Sequence, residues 1–161
     1  GKTLLAPGMR IGYLTVPPMK PDRVELRDRI MVTQIASGFA FPNADLQHAI
    51  DDLELLSIDI AALERRRDRM MVILDDLGYE HTRPEGTFYI MARSPIEDDE
   101  RFGEILAEEG AIVLPGNVVE VPGWFRISLT ANDEMVERSV GAFRRARERA
   151  PGAARGARPT A

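Results

Sequence analysis

The chain has 161 residues, 44% of them apolar and 29% charged, with a net charge of −5. That is the length of one ordinary domain, enough to bury roughly 68–70% of the surface an unfolded chain exposes. No apolar run nears the ~18 residues of a membrane-spanning helix, the lack of cysteine excludes disulfides, thiolate metal sites and cysteine nucleophiles, and the acidic balance gives no general footprint for nucleic acid or an anionic membrane. Of the 21 basic residues only Lys2 and Lys20 are lysines, which leaves 19 arginines. The opening GKTLLAPGMRIGY, Gly1 to Tyr13, has no initiator methionine and resembles neither a secretory signal nor a transit peptide. It reads as the middle of a protein that begins earlier.

Taken in chain order, strands and helices alternate without an internal repeat. Arg10 to Val16 is a short β-rich run between Pro7-Gly8 and Pro17-Pro18, which predicts a strand. Asp22 to Phe39 predicts an amphipathic helix with Val24, Met31 and Ile35 on one face, ended by Pro42. Asn43 can cap a short helix with Leu46, Ile50 and Leu53 on its apolar side. Asp59 to Leu77 is the clearest helix: Leu63, Met70, Leu74 and Leu77 share a face, Glu64 to Arg69 points to water, and Gly78 follows as a left-handed terminator. Thr87 to Ala92 predicts a strand after the turn Pro84-Glu85-Gly86.

Ser94-Pro95-Ile96-Glu97 matches a capping box with proline at the first helical position. The helix it opens buries Phe102, Ile105 and Leu106 and closes at Gly110. Ala111 to Leu114 and Trp124 to Leu129 are two further strands. Asn132 begins a last helix, with Asp133 and Glu134 in its first turn and Arg144, Arg145, Arg147 and Arg149 towards its end, an order that complements the helix dipole. Pro151 to Ala161 lacks bulky apolar residues and is expected to be disordered. The fold class is α/β or α+β, one compact domain behind a leading strand segment.

Gly1-Lys2-Thr3 imitates the end of a phosphate-binding P-loop. A P-loop lysine stands where a helix begins, however, and Pro7-Gly8 would break such a helix in its first turn. No G-x-G-x-x-G occurs either. A lysine, a linker, Pro-Gly and an arginine entering a strand suit another pocket. The amine can form a Schiff base with an aldehyde, and the guanidinium can grip a phosphate. Pyridoxal phosphate is the common cofactor that carries both groups.

At these residues the sequence resembles a known family. GKTLLAPGMRIGY looks like the cofactor-lysine segment of class I and II aminotransferases, the fold-type I pyridoxal-phosphate enzymes, in which the phosphate-binding arginine follows the lysine by eight residues. Lys2 and Arg10 stand at those positions. Pro84-Glu85-Gly86-Thr87-Phe88-Tyr89 resembles the family's P-x-G-x-F/Y entry to a small-domain strand. Leu114-Pro115-Gly116 resembles its L/V-P-G loop near the substrate, and Trp124 to Leu129 its late strand, whose arginine holds the substrate carboxylate. That arginine would be Arg126. The likeness covers roughly residues 1 to 150.

Arg126 also has a reading of its own. In a strand it alternates with Phe125 and Ile127, so it shares a face with Trp124 and Ser128. A planar pair of donors in a partly dry pocket suits a carboxylate. An arginine satisfied by a nearby structural carboxylate is the plainer alternative. Elsewhere, His48 and His81 have no second histidine at ligand spacing, so no metal site is expected. Asp75-Asp76 and Glu97 to Glu100 read as solvated faces or dipole complements. The arginines at 65–69 and 144–149 are interleaved with acids, without aromatic residues for stacking on bases. Met70, Met71 and Phe102 read as core.

The resemblance implies a C-terminal portion of a two-domain enzyme: residues 1–18 as the cofactor-lysine segment and strand of the large domain, 19–150 as the small domain with its interdomain helix, a small mixed sheet covered by helices, and 151–161 as a tail. It implies an amino-group transfer between an amino acid and a 2-oxo acid, with catalytic Lys2, cofactor-binding Lys2 and Arg10, and substrate-binding Arg126. It further implies a cytoplasmic homodimer without nucleic-acid or membrane partners. The family's remaining cofactor contacts, including an aspartate on the pyridine nitrogen, precede its lysine and are not in this sequence. The isolated chain is therefore expected to be inactive. An aminotransferase-like effector domain of a transcriptional regulator, a pyridoxal-phosphate lyase or decarboxylase, and a non-catalytic association module stay open as alternatives.

Overall fold

A computed structural model describes residues 3–39 and 41–150. The predicted tail at 151–161 and the position of Lys2 lie outside the described residues. The chain divides into two compact units, one ending at Ile58 and one beginning at Asp59.

The first unit is helical. Helix α1, Arg23–Ala36, matches the expected segment, and Glu25 pairs with Arg29 one turn on. Its face of Val24, Met31 and Ile35 stays exposed. Asn43 caps α2, Ala44–His48, its side-chain oxygen accepting from the Leu46 amide at 2.9 Å. The short helix breaks at Ala49 and resumes as α3, Ile50–Glu54. The strand expected over Arg10 to Val16 does not form. Among the described residues no strand pairs with it, and an extended run without a ladder partner leaves its backbone groups to water.

The second unit holds the core. Helix α4, Ile60–Asp76, starts where the Asp59 carboxylate accepts from the Ala62 amide, and it buries Met70, Met71, Ile73 and Leu74. It ends at Gly78, whose φ of 72° is the left-handed region that favours glycine. Tyr79 then turns inward. Its hydroxyl donates to the Phe143 carbonyl at 2.8 Å, and its ring meets Phe125 and Phe143 edge-on. Burial pushes the Tyr79 phenol well above its usual range, with Arg147 opposing.

Three strands follow: β1, Tyr89–Arg93; β2, Leu114–Pro115; and β3, Trp124–Ser128. The order is β1-β3-β2, and both pairs are antiparallel rather than mixed. Helices over a small sheet make this an α+β unit. Ile90, Ala92, Phe125 and Ile127 face the helices and are buried, while Tyr89, Met91, Leu114, Trp124 and Arg126 share the other face and are half-buried. Helix α5, Asp99–Glu108, adds Phe102, Ile105 and Leu106 to the core, and α6, Asp133–Arg149, adds Val136, Ala142, Phe143 and Ala146.

Two local readings need correction. Ser94 does not cap α5. Its amide donates to the Gly123 carbonyl and its hydroxyl accepts only from Ile96, while the Asp98 carboxylate takes the Arg101 amide at 2.9 Å and starts the helix there. The strand at Ala111 to Leu114 shrinks to Leu114–Pro115. The Ala111 amide is held by the Leu106 carbonyl at the end of α5, and residues 111–113 line a cavity of about 540 Å³ together with the end of β3 and α6.

The late arginines do more than balance a dipole. Arg145 and Arg149 both bond Glu109, and Arg149 also bonds Glu108, which fastens α6 to the end of α5. The bonds from Arg145 and then Arg149 hold the Glu109 carboxyl below the usual range. Its contribution is therefore complete above the ordinary carboxylate pKa of about 4.3 and is lost as pH falls through the lower folded value. Melting temperatures followed from neutral to acid pH should show a shallower acid-side decline for Glu109→Gln than for the wild type.

Gly116 opens the 3₁₀ turn Gly116–Val119 after β2. A Cβ there would lie 2.1 Å from the Val121 carbonyl oxygen and 2.5 Å from that of Trp124, both of them backbone. Gly116→Ala is expected to cost about 3 kcal/mol in urea denaturation through overpacking. Gly123→Ala should cost only ~1–2 kcal/mol, for its φ of 79° with no atom in reach.

Candidate cofactor and carboxylate site

Arg10 lies in the first unit, in an exposed segment shaped by a turn in which the Met9 amide donates to Ala6. Among the described residues no carboxylate reaches ion-pair distance of it, unlike Arg29, which Glu25 occupies in the same unit. Lys2, the other expected cofactor residue, is not described. The donor set nonetheless fits pyridoxal phosphate chemically. A primary amine and an uncommitted guanidinium eight residues apart match its aldehyde and its phosphate.

Arg126 lies in the second unit, in the middle of β3. Met91 of β1 and Leu114 of β2 stand opposite it on its two sides. Phe125 and Ile127 turn into the core, so Arg126 is carried onto the open face by the strand period of two. The structural carboxylate that would make it an ordinary paired arginine is not found among the described residues. Arg66, Arg69, Arg101, Arg145 and Arg149 do have such partners. Arg126 instead lies over the Tyr89 ring, its guanidinium carbon 4.1 Å from the ring centre.

The approach to β3 is pinned from several directions. Gly116 lets the turn after β2 pass against the Val121 and Trp124 carbonyls. Glu120 adopts a left-handed φ of 61° and reverses the chain. The Gly123 peptide is held at both ends: its carbonyl accepts from the Ser94 amide, and its amide donates to the Asp99 carboxylate at 2.6 Å. Asp99 was expected on a solvated charge run. It is 4% exposed, with its other oxygen unpartnered among the described residues. Only Trp124 and Phe125 separate this clamp from Arg126.

Asp99 and Tyr89 are the residues that the sequence reading missed. Asp99 sits in a run of four acids, and only its bond to a residue 24 positions away distinguishes it. Tyr89 stands in the strand motif beside Phe88, and its alternation with Met91 is the one sign in the sequence of which side of β1 it takes. His81 lies just before β1. It bridges to Ala92, with one ring nitrogen at the Asp75 carboxylate and the other at the Thr82 carbonyl.

The sequence profile described as aminotransferase class I and II matches residues 1–143. The chain is 38% identical over 91 residues to the aspartate/prephenate aminotransferase of Thermus thermophilus, covering 55% of this chain and 24% of that protein. It is 44% identical over 69 residues to the LL-diaminopimelate aminotransferase of Desulforudis audaxviator, covering 40% and 18%. Among solved structures, an amino transferase from Eubacterium rectale superposes with a TM-score of 0.76 at 31% identity, over 91% of this chain and 37% of that one. The chain spans about a quarter of the length of the first of these curated relatives. A profile match over most of its residues, joined to a shared fold at 31% identity, places the chain in the class I and II aminotransferase family.

Proposed function

We propose that these residues supply the cofactor lysine, the phosphate-binding arginine and the substrate-carboxylate arginine of a pyridoxal-phosphate-dependent aminotransferase. The full protein would act as a cytoplasmic homodimer and transfer an amino group between an amino acid and a 2-oxo acid. Residues 1–18 would belong with the larger domain and 19–150 with the smaller. The relatives carry aminotransferase names, which favours transfer over decarboxylation or elimination.

The observation that carries this reading is Arg126, half-buried on an open sheet face with its edge donors uncommitted among the described residues. Its fork would hold the substrate's α-carboxylate and so orient the Cα–H bond. Lys2 would take the proton from Cα and deliver one back, for which its amine must be unprotonated at working pH. Arg10 would bind the phosphate. The chemistry pyridoxal phosphate supplies when bound is an electron sink for the charge left on Cα. The 161 residues by themselves would not turn over, because the resemblance implies an aspartate on the ring nitrogen that is not among them.

Borohydride reduction of the full-length protein with pyridoxal phosphate, followed by peptide mapping, should place the label on Lys2. A label on another lysine overturns the assignment. Arg126→Gln should raise KM for amino donors by about 10- to 100-fold, as expected for loss of a hydrogen bond between charged groups. Because no ion pair is lost, its unfolding free energy should change by less than about 1 kcal/mol. A large loss of stability with KM unchanged would make Arg126 structural instead.

A further inference from the structure

A guanidinium offers two kinds of surface. Its edge carries five N–H donors, while its faces are weakly hydrated and stack on aromatic rings. An acidic neighbour consumes the edge, as Glu137 does for Arg69, with bonds of 2.5 and 2.6 Å, and Glu109 does for Arg145. Tyr89 takes only the face of Arg126.

The contact is built into the sheet. Tyr89 stands opposite Ser128, and Met91 stands opposite Arg126, so Tyr89 and Arg126 are diagonal neighbours on the open face. That diagonal is within reach of long side chains. The Tyr89 ring is backed by Phe88, 4.4 Å away and inclined at 47°. Thr87, immediately before them, has a left-handed φ of 65°, which turns the chain sharply into β1. Among the described residues the Tyr89 hydroxyl makes no hydrogen bond, so the ring is what the geometry uses.

We propose that Tyr89 is a positioning residue for the carboxylate site: stacked on the guanidinium of Arg126, it holds that side chain in one plane while leaving its edge donors for a carboxylate. The inference rests on the reading of Arg126 as the carboxylate-binding residue. An unstacked arginine must surrender rotamer freedom when the substrate arrives, whereas a stacked one has already done so. The effect therefore falls on binding rather than on proton transfer.

The test uses the full-length protein with pyridoxal phosphate, its most active common L-amino acid as donor, and propionate as an inert carboxylate probe competing with that donor. Tyr89→Leu should raise KM and the inhibition constant of propionate together by about tenfold, which corresponds to ~1.4 kcal/mol, with kcat within about twofold. Tyr89→Phe should keep both constants within about twofold of the wild type. Tyr89→Ile, another apolar residue of high strand propensity, should repeat the result of Tyr89→Leu. A change in the Arg126 Nε–H resonance on adding propionate, seen in the cofactor-free wild type and weakened in Tyr89→Leu, gives a readout independent of turnover.

If Arg126→Gln raises the propionate constant and neither Tyr89→Leu nor Tyr89→Ile does, the carboxylate site stands and the role of Tyr89 is overturned. If Tyr89→Phe is as damaging as Tyr89→Leu, the hydroxyl carries the effect and the stacking inference fails. If Arg126→Gln leaves the propionate constant unchanged, the carboxylate reading itself fails, and the inference falls with it.

Discussion

Phe125 sits fully buried among the rings of Tyr79, Phe102 and Phe143, and that burial decides where its neighbour Arg126 can go. Side chains alternate across a strand, so committing Phe125 and Ile127 to the helical side commits Trp124, Arg126 and Ser128 to the other. A slip of one residue would put a guanidinium into the aromatic core and two apolar side chains into water, at a cost of several kcal/mol. Register is therefore enforced by the core, and Arg126 inherits a fixed position on the open face. The clamp on Gly123 and the tight turn at Gly116 secure the same strand from its leading end.

The arginines of the second unit divide by which surface they spend. Arg66, Arg69, Arg145 and Arg149 use their edges on glutamates and an aspartate and so tie α4 to α6 and α5 to α6. These exposed pairs each contribute little, but two of them converge on Glu109. Arg147 and Arg126 spend their faces on tyrosines instead. Arg147 covers Tyr79, a core residue, whereas Arg126 covers Tyr89 on the face away from the core. Face stacking leaves all the edge donors for a further ligand, whereas an ion pair occupies part of them. That difference sets Arg126 apart from the ion-paired arginines in a chain where 19 of 21 basic residues are arginine.

Much of the fold was legible because its signals are local. Asn43, Asp59 and Asn132 each accept from an amide three residues on, and such a cap needs only its own first turn. Gly78 and Gly110 end helices through their own left-handed backbone. The errors fell where a distant partner was needed. Arg10 to Val16 has strand composition but no neighbouring ladder among the described residues. Ser94 has the spacing of a cap, but its backbone is drawn to Gly123, and Asp98, closer to the helix, accepts the amide in its place. Ala111 belongs to the end of α5 before it can belong to a strand.

The order of residues by itself determined the family motifs, the pairing of a lysine with an arginine eight positions on, and the alternation that sets Arg126 apart from Phe125 and Ile127. These rest on covalent spacing and on side-chain chemistry, which survive in any conformation. Tertiary structure alone decided that Arg126 has no acidic partner among the described residues, that Asp99 is buried against Gly123, and that Tyr89 supplies the ring beneath the guanidinium. Each of those facts depends on which strand lies beside which and in what register, and that is settled only when the apolar faces of sheet and helices close on one another.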